Sequence, residues 1–163
     1  MNVILSVILS AIFFQNPFPV PTTTDLTLVA EHQSAKTGEE VCVSISVADF
    51  KNLLSMQYSL AWDPEVLTFE TAQGFNLPYL GKNNFGMNRK ENGVITFVWI
   101  DNALQGVNLS DGTVIYQLCF RVKGKRGSGT EIKFSPQPTP FEVVDVREQV
   151  LGINAVAGSV VVN

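Results

Sequence analysis

The stretch SMQYSLAWDPEVLTFE, residues 55–70, contains two alternating segments separated by an Asp-Pro corner. The large apolar residues of the first segment fall on one side of an extended chain: Met56, Tyr58, Leu60 and Trp62. This period of two predicts a strand with one buried face and one flat, uncharged face. At the corner, Pro64 fixes the torsion φ and the Asp63 carboxylate can accept hydrogen bonds from the following amides. We therefore expect the corner to turn the chain from one sheet toward another.

The same alternation continues along most of the chain, with Gly, Pro and Asn between the segments. Strands are predicted at 25–32, 40–50, 53–62, 66–70, 93–101, 113–124, 131–135, 140–146 and 154–163, with at most one short strand near 84–89. No segment has the pattern of a long helix. Because each long strand has one apolar face, two packed sheets are required to cover them. The sequence predicts an all-β, nine-stranded antiparallel jelly-roll β-sandwich, with an immunoglobulin-like strand order as the alternative.

The alternation also predicts which side chains form the core. These are Val43, Ile45, Tyr58, Leu60, Trp62, Leu67, Phe69, Phe97, Trp99, Leu118, Phe120 and Phe134.

Length and charge limit the class of protein. A chain of 163 residues suits one domain with a substantial core. Charged residues make up only 16% and the net charge is −4, which argues against nucleic acid or an anionic membrane surface as a partner.

The N-terminal region resembles an export signal. An apolar run from Val3 to Phe14 precedes Pro17 and is shorter than the roughly 20 residues that a membrane-spanning helix needs. We predict a signal peptide at 1–16, a Pro/Thr-rich linker at 17–24 and one domain at 25–163, in a secreted or cell-surface protein. A retained apolar strand and a misassigned start codon are the alternatives.

Groups needed for catalysis are sparse. The single histidine, His32, would have to serve any Ser-His-acid set, and no G-x-S-x-G motif is present. The oxygen-bearing residues Asp101, Asn102, Asn108 and Asp111 do not have EF-hand spacing. The sequence predicts no enzyme, no metal and no cofactor.

The two cysteines occupy outward positions in the middle of strands. Cys42 lies between the inward Val41 and Val43, and Cys119 alternates with the inward Leu118 and Phe120. If the two strands are neighbours, the sulfur atoms can meet across the ladder. A disulfide is predicted, because oxidation is usual outside the cell; two free thiols are the alternative.

Four segments together resemble the cohesin domains, in particular those of secreted proteins of Bacteroidetes-like bacteria. They are MQYSLAWDPEVLTFE (56–70), GVITFVWID (93–101), DGTVIYQLCFRVKG (111–124) and TPFEVVDV (139–146). The resemblance runs from about Leu26 to Val162, and its most specific part is the corner from Trp62 to Leu67. It implies a non-catalytic module that binds a dockerin-like protein and assembles carbohydrate-active enzymes on a scaffold.

The resemblance also places the contact surface on the third and sixth strands. By position, the family's contacts fall at Ser55, Gln57, Val98 and Asp101, and the Asn and Asp typical of the third strand are missing. Alternation on 93–101 independently leaves Val98 and Ile100 outward, and exposed apolar patches often mark interfaces. The predicted partner-binding residues are Ser55, Gln57, Ser59, Val98, Ile100 and Asp101.

Two other functions remain open from the residues. A carbohydrate-binding module would stack exposed aromatic rings on sugar, and only Tyr79, Phe75 and Phe85 lie outside predicted core faces. A subunit of a surface filament would exchange strands, using the segment 3–14 or the terminal strand.

Overall fold

A computed structural model describes residues 25–163 as a β-sandwich of two sheets, with two short 3-10 helices at Lys82–Asn84 and Lys90–Asn92. The predicted signal peptide (1–16) and linker (17–24) lie outside the described residues. Neither helix in the described part of the chain is long and apolar enough to cross a bilayer.

Five strands form the first sheet, sheet A. In spatial order they are β11 (Ile153–Val156), β1 (Leu26–Ala30), β3 (Glu40–Ala48), β8 (Thr113–Val122) and β5 (Leu67–Gln73).

Seven strands form the second sheet, sheet B. Its path is β2 (His32–Ala35), β12 (Gly158–Val162), β9 (Gly129–Ser135), β4 (Leu53–Ala61), β7 (Val94–Ile100) and β6 (Phe85–Gly86), and β10 (Glu142–Asp145) also pairs with β4.

The predicted all-β sandwich is confirmed, but residues 25–163 form twelve strands where nine were predicted, and each sheet contains one parallel pair among antiparallel ones. The run 25–32 divides into β1 and β2, and the run 154–163 divides into β11 and β12. Each terminal run crosses from sheet A to sheet B, and β1 pairs parallel with β11 as β2 does with β12. At the crossing, a Cβ on Gly158 would overlap the Glu31 carbonyl oxygen, so only glycine permits this approach. The alternation of apolar and polar residues cannot show where a run passes from one sheet to the other.

The predicted core is confirmed. Eleven of its twelve residues are buried, and Phe134 is partly buried against them. Two aromatic groups fill the space between the sheets. Trp62, Phe69 and Phe120 form one, with ring centroids 5.1–5.9 Å apart. The other joins Tyr58 and Tyr116 to the Phe97 ring.

The Asp-Pro corner has the role that the sequence predicts. The Asp63 carboxylate accepts a hydrogen bond from the Glu65 amide at 2.8 Å, and the Asp63 carbonyl accepts from Val66 and Leu67. The corner packs on Gly93, whose φ of +72° and contact with the Trp62 carbonyl leave no room for a side chain. The corner is therefore structural.

The two cysteines form the predicted disulfide. Cys42 on β3 and Cys119 on β8 are direct partners in the ladder, with an S–S distance of 2.04 Å. Cys42 is half-buried and Cys119 is fully buried on the outer side of sheet A.

The buried tyrosine pair makes stability sensitive to alkaline pH. The Tyr58 and Tyr116 hydroxyls lie 2.8 Å apart, and burial raises the pKa of both well above the ordinary value. Unfolded tyrosines ionise near pH 10, so the stabilisation is complete below that pH and is lost as pH rises. Because the folded state retains two protons that the unfolded chain loses, the free energy of unfolding should fall by about 2.7 kcal/mol in total between pH 9 and 11, or about 1.4 kcal/mol per pH unit across that range. Urea unfolding from pH 9 to 11 measures this slope.

The Tyr58→Phe/Tyr116→Phe double variant is the control, because it removes both titrating groups without leaving a hydroxyl unpaired. An equally steep alkaline slope in this variant would show that other groups are responsible.

Candidate functional site

The outer face of sheet B is formed at its centre by β4 and β7. In the ladder, Ser55 pairs with Ile100 and Gln57 pairs with Val98, so these four side chains share one face. Val98 is 41% exposed and Ile100 is 49% exposed, while Ser55 and Gln57 are half-buried. The outward orientation that alternation predicts for the two aliphatic residues is therefore present.

Ser59 was wrongly expected to point to solvent. Its hydroxyl donates to the Thr139 carbonyl at 3.1 Å and accepts from the Thr139 amide at 2.9 Å. The segment 136–141, between β9 and β10, thus lies over this position and buries it. Ser59 holds this segment and is not available to a partner.

Asp101 was also wrongly expected at the surface. Its carboxylate is buried and accepts hydrogen bonds from the amides of Ala103, Gln105 and Gly106 at 2.9–3.0 Å. These bonds shape the loop after β7, because each satisfies an amide that the turn would otherwise leave unpaired.

Strand β10 widens the outer face of sheet B, and the sequence did not indicate that it lies beside β4. β10 pairs with β4, placing Glu142 beside Gln57 and Val144 beside Ser55. The alternation of 140–146 predicts a strand, yet no local signal shows which strand it joins. The apolar surface therefore continues past β4 to Val144.

The other side of the face is bounded by a groove of about 430 Å³. Its lining is uncharged and consists of Tyr79, Asn83, Asn84, Phe85, Gly86, Thr96, Val98, Ile100 and Asn102. Two hydrogen bonds attach its outer wall to β7: the Trp99 indole donates to the Pro78 carbonyl at 2.7 Å, and the Asn84 amide group donates to the Val98 carbonyl at 2.8 Å. The groove is therefore held in shape.

The aromatic residues suggested for sugar stacking are mostly packed inward. Phe85 is buried and Phe75 packs partly against the core, which leaves Tyr79 as the exposed aromatic side chain of residues 25–163. One ring beside branched aliphatic residues is a poor platform for a polysaccharide.

The oxygen atoms considered for calcium hold loops instead. Asp111 accepts from the Asp49 amide and Asn108 accepts from the Asn52 amide, both at 2.9 Å. The only group of possible metal ligands within residues 25–163 is Glu40 with Cys42 and Cys119, whose sulfur atoms are bonded to each other.

Two other ionisable side chains, His32 and Asp145, also form hydrogen bonds within the domain. His32 lies on β2 with its Nδ1 2.8 Å from the Ser159 hydroxyl, far from the β4–β7 face along the sheet. Burial acts to raise the pKa of Asp145, but hydrogen bonds from the Arg147 side chain and from the Gln149 and Arg147 amides outweigh it and lower that pKa.

Comparison with protein-family models finds one matching family. The family model of the cohesin domain matches residues 26–155. A search of curated proteins finds no match.

Solved structures with the same fold are numerous and distant in sequence. A chain of a type I cohesin–dockerin complex from Clostridium thermocellum aligns with a TM-score of 0.72 and 14% identity, covering 86% of this chain and 100% of that one. A cohesin from Clostridium acetobutylicum gives 0.70 and 16%, covering 86% and 92%. A non-cellulosomal cohesin from the archaeon Archaeoglobus fulgidus gives 0.60 and 17%, covering 84% and 90%.

Proposed function

The chain belongs to the cohesin family of non-catalytic protein-binding modules, and from this premise we propose that the outer face of sheet B binds a dockerin-like module. The observation that carries the proposal is the pair of exposed aliphatic residues, Val98 and Ile100, at the centre of this face. Ser55 and Gln57 border them on β4. An apolar centre with a polar rim is the usual arrangement of a protein interface.

The contacts between this module and its partner should differ from those that enzyme-scaffold cohesins make with theirs. The Asn and Asp expected on the third strand of such cohesins are replaced here by smaller or uncharged groups, Ser55 and Gln57. Contact with aliphatic side chains therefore contributes more of the affinity, since these two polar residues offer neutral hydrogen bonds only.

We place the protein outside the cell, with residues 1–16 removed as a signal peptide and 17–24 as a linker to the domain. The Cys42–Cys119 bond supports this location, because disulfides persist in oxidising compartments. N-terminal sequencing of the exported protein should find a start between Ala11 and Pro21; an intact Met1 on exported protein would contradict it.

Val98→Asp tests the binding face. The aspartate would be desolvated without a partner at the centre of the interface, so affinity for a dockerin module should fall by about 100-fold. Folding should be unchanged, because the side chain points to solvent in the free protein. The probes are the dockerin modules encoded in the same genome, each produced separately and titrated by calorimetry.

Val156→Asp is the matched control. Val156 is also 41% exposed, but it lies on β11 in the opposite sheet. If wild type binds a dockerin module and both variants bind it equally well, the sheet B face is not the site. Binding of insoluble polysaccharide that Tyr79→Ala abolishes would instead support the carbohydrate alternative.

A further inference from the structure

The two most exposed aliphatic side chains of residues 25–163 lie on loops at one end of sheet B. Leu104 is 65% exposed on the loop after β7, and Val150 is 69% exposed on the loop after β10. Exposed apolar residues that form a contiguous patch often mark an interface. Neither is part of the face formed by β4 and β7.

Each loop is held in shape by a buried aspartate. Asp101 accepts three backbone amides of the first loop. Asp145 accepts the Arg147 amide at 2.8 Å, the Gln149 amide at 3.1 Å and the Arg147 guanidinium Nε at 2.9 Å. Because the loops are ordered before binding, little conformational entropy is lost when their side chains meet a partner.

The two loops also pack together around the start of β4. A Cβ on Gly106 would overlap Val146 Cγ1, so the loops are in close contact there. The Val146 amide donates to the Asn52 carbonyl at 2.9 Å. Leu53 and Val107 exchange two backbone hydrogen bonds of 2.9–3.0 Å.

The strand register joins this end to the face on β4 and β7. Val150 bridges to Val144, Val144 pairs with Ser55, and Ser55 pairs with Ile100. With strands about 4.8 Å apart, these four positions form a row about 14 Å long. Ile100 is the last residue of β7, and Leu104 lies four residues further along, on the loop that follows.

We propose that Leu104 and Val150 are anchors of the binding site and contact an aliphatic surface of the dockerin-like module, a role that rests on the proposed function. The row from Val150 to Ile100 supports this occupant, because it continues the face proposed to bind the module. Nearby, the Arg147 guanidinium is paired with the Asp145 carboxylate at 2.8 Å. Asp101 and Asp145 act as positioning residues for the two anchors.

The test is the double variant Leu104→Asn/Val150→Ser. Leu104 has a φ of +53°, a conformation that asparagine adopts readily, and both side chains are exposed, so the fold should be kept. Loss of two aliphatic contacts should weaken binding of the dockerin module that wild type binds by about 10- to 30-fold in calorimetry. Val156→Ser, an equally simple change on β11, should alter affinity by less than about two-fold.

The outcomes separate this inference from the proposed function. If the double variant binds as tightly as wild type while Val98→Asp does not bind, the inference is wrong and the proposed function stands. If wild type binds none of the modules, both are wrong. If wild type forms a dimer in sedimentation equilibrium that the double variant does not form, a second copy of the chain occupies the surface and the inference is overturned.

Discussion

Trp99→Ala is expected to lower the free energy of unfolding by about 3–5 kcal/mol. Trp99 is fully buried and packs against Phe50 with ring centroids 5.9 Å apart. Its removal leaves a cavity that the neighbouring strands of a closed sandwich cannot fill. The variant also loses the hydrogen bond from the indole to the Pro78 carbonyl, which holds the wall of the groove. Chemical denaturation of both proteins measures the difference.

Val98→Ala provides the control for this prediction on the same strand. Val98 precedes Trp99 and faces solvent, so its truncation should change stability by no more than about 0.5 kcal/mol. Equal losses for the two variants would mean that the assignment of faces on β7 is inverted. A Trp99→Ala protein with unchanged stability would contradict the prediction directly.

Loss of the disulfide should lower the free energy of unfolding about as much as Trp99→Ala does. Cys42 and Cys119 are separated by 77 residues, and cross-linking a loop of this length stabilises the folded state by about 4 kcal/mol in the chain-entropy model. Cys42→Ala/Cys119→Ala should therefore lower the free energy of unfolding by about this amount. Alanine is the suitable replacement because Cys119 is fully buried and a serine hydroxyl there would need a partner.

Reductant gives the matched comparison for the disulfide. Dithiothreitol should destabilise the wild-type protein about as much as the double substitution does, and it should leave the double variant unchanged. Mass spectrometry of native protein without reductant should find no alkylatable thiol. Two alkylated cysteines in that experiment, or a variant as stable as wild type, would contradict the prediction.

Prediction of side-chain orientation from the sequence succeeded where only the strand's own alternation mattered. Val98 and Ile100 are outward because β7 is regular and no other segment of residues 25–163 covers that part of its face. Ser59 obeys the same alternation on β4, but the segment that contains Thr139 lies over it. Asp101 follows the last residue of β7, where the chain turns and the alternation ends.

The two proposed anchors, Leu104 and Val150, show a second limit of prediction from the sequence. Leu104 and Val150 lie in loops, which have no periodic pattern to indicate burial or exposure. Val150 is joined to Ile100 only through the pairing of β10 with β4, which brings together residues far apart along the chain. The family resemblance predicts contacts on two strands only, so it does not identify Leu104 or Val150.

By itself, the sequence determined the all-β class, the approximate position of most strands, the inward face of each and the outward position of both cysteines in the middle of their strands. These properties depend on the two-residue period of a strand and on the apolar content of each face, both of which are local. Only the tertiary structure decided the parallel terminal strands, the burial of Ser59 and Asp101, and the extension of the aliphatic surface to Val150. The strand directions, the burial of Ser59 and the extension to Val150 depend on which distant segment lies beside or above a residue, and a local pattern carries no information about that neighbour. Asp101 differs, because the turn that begins there ends the alternation and its amides bind the carboxylate.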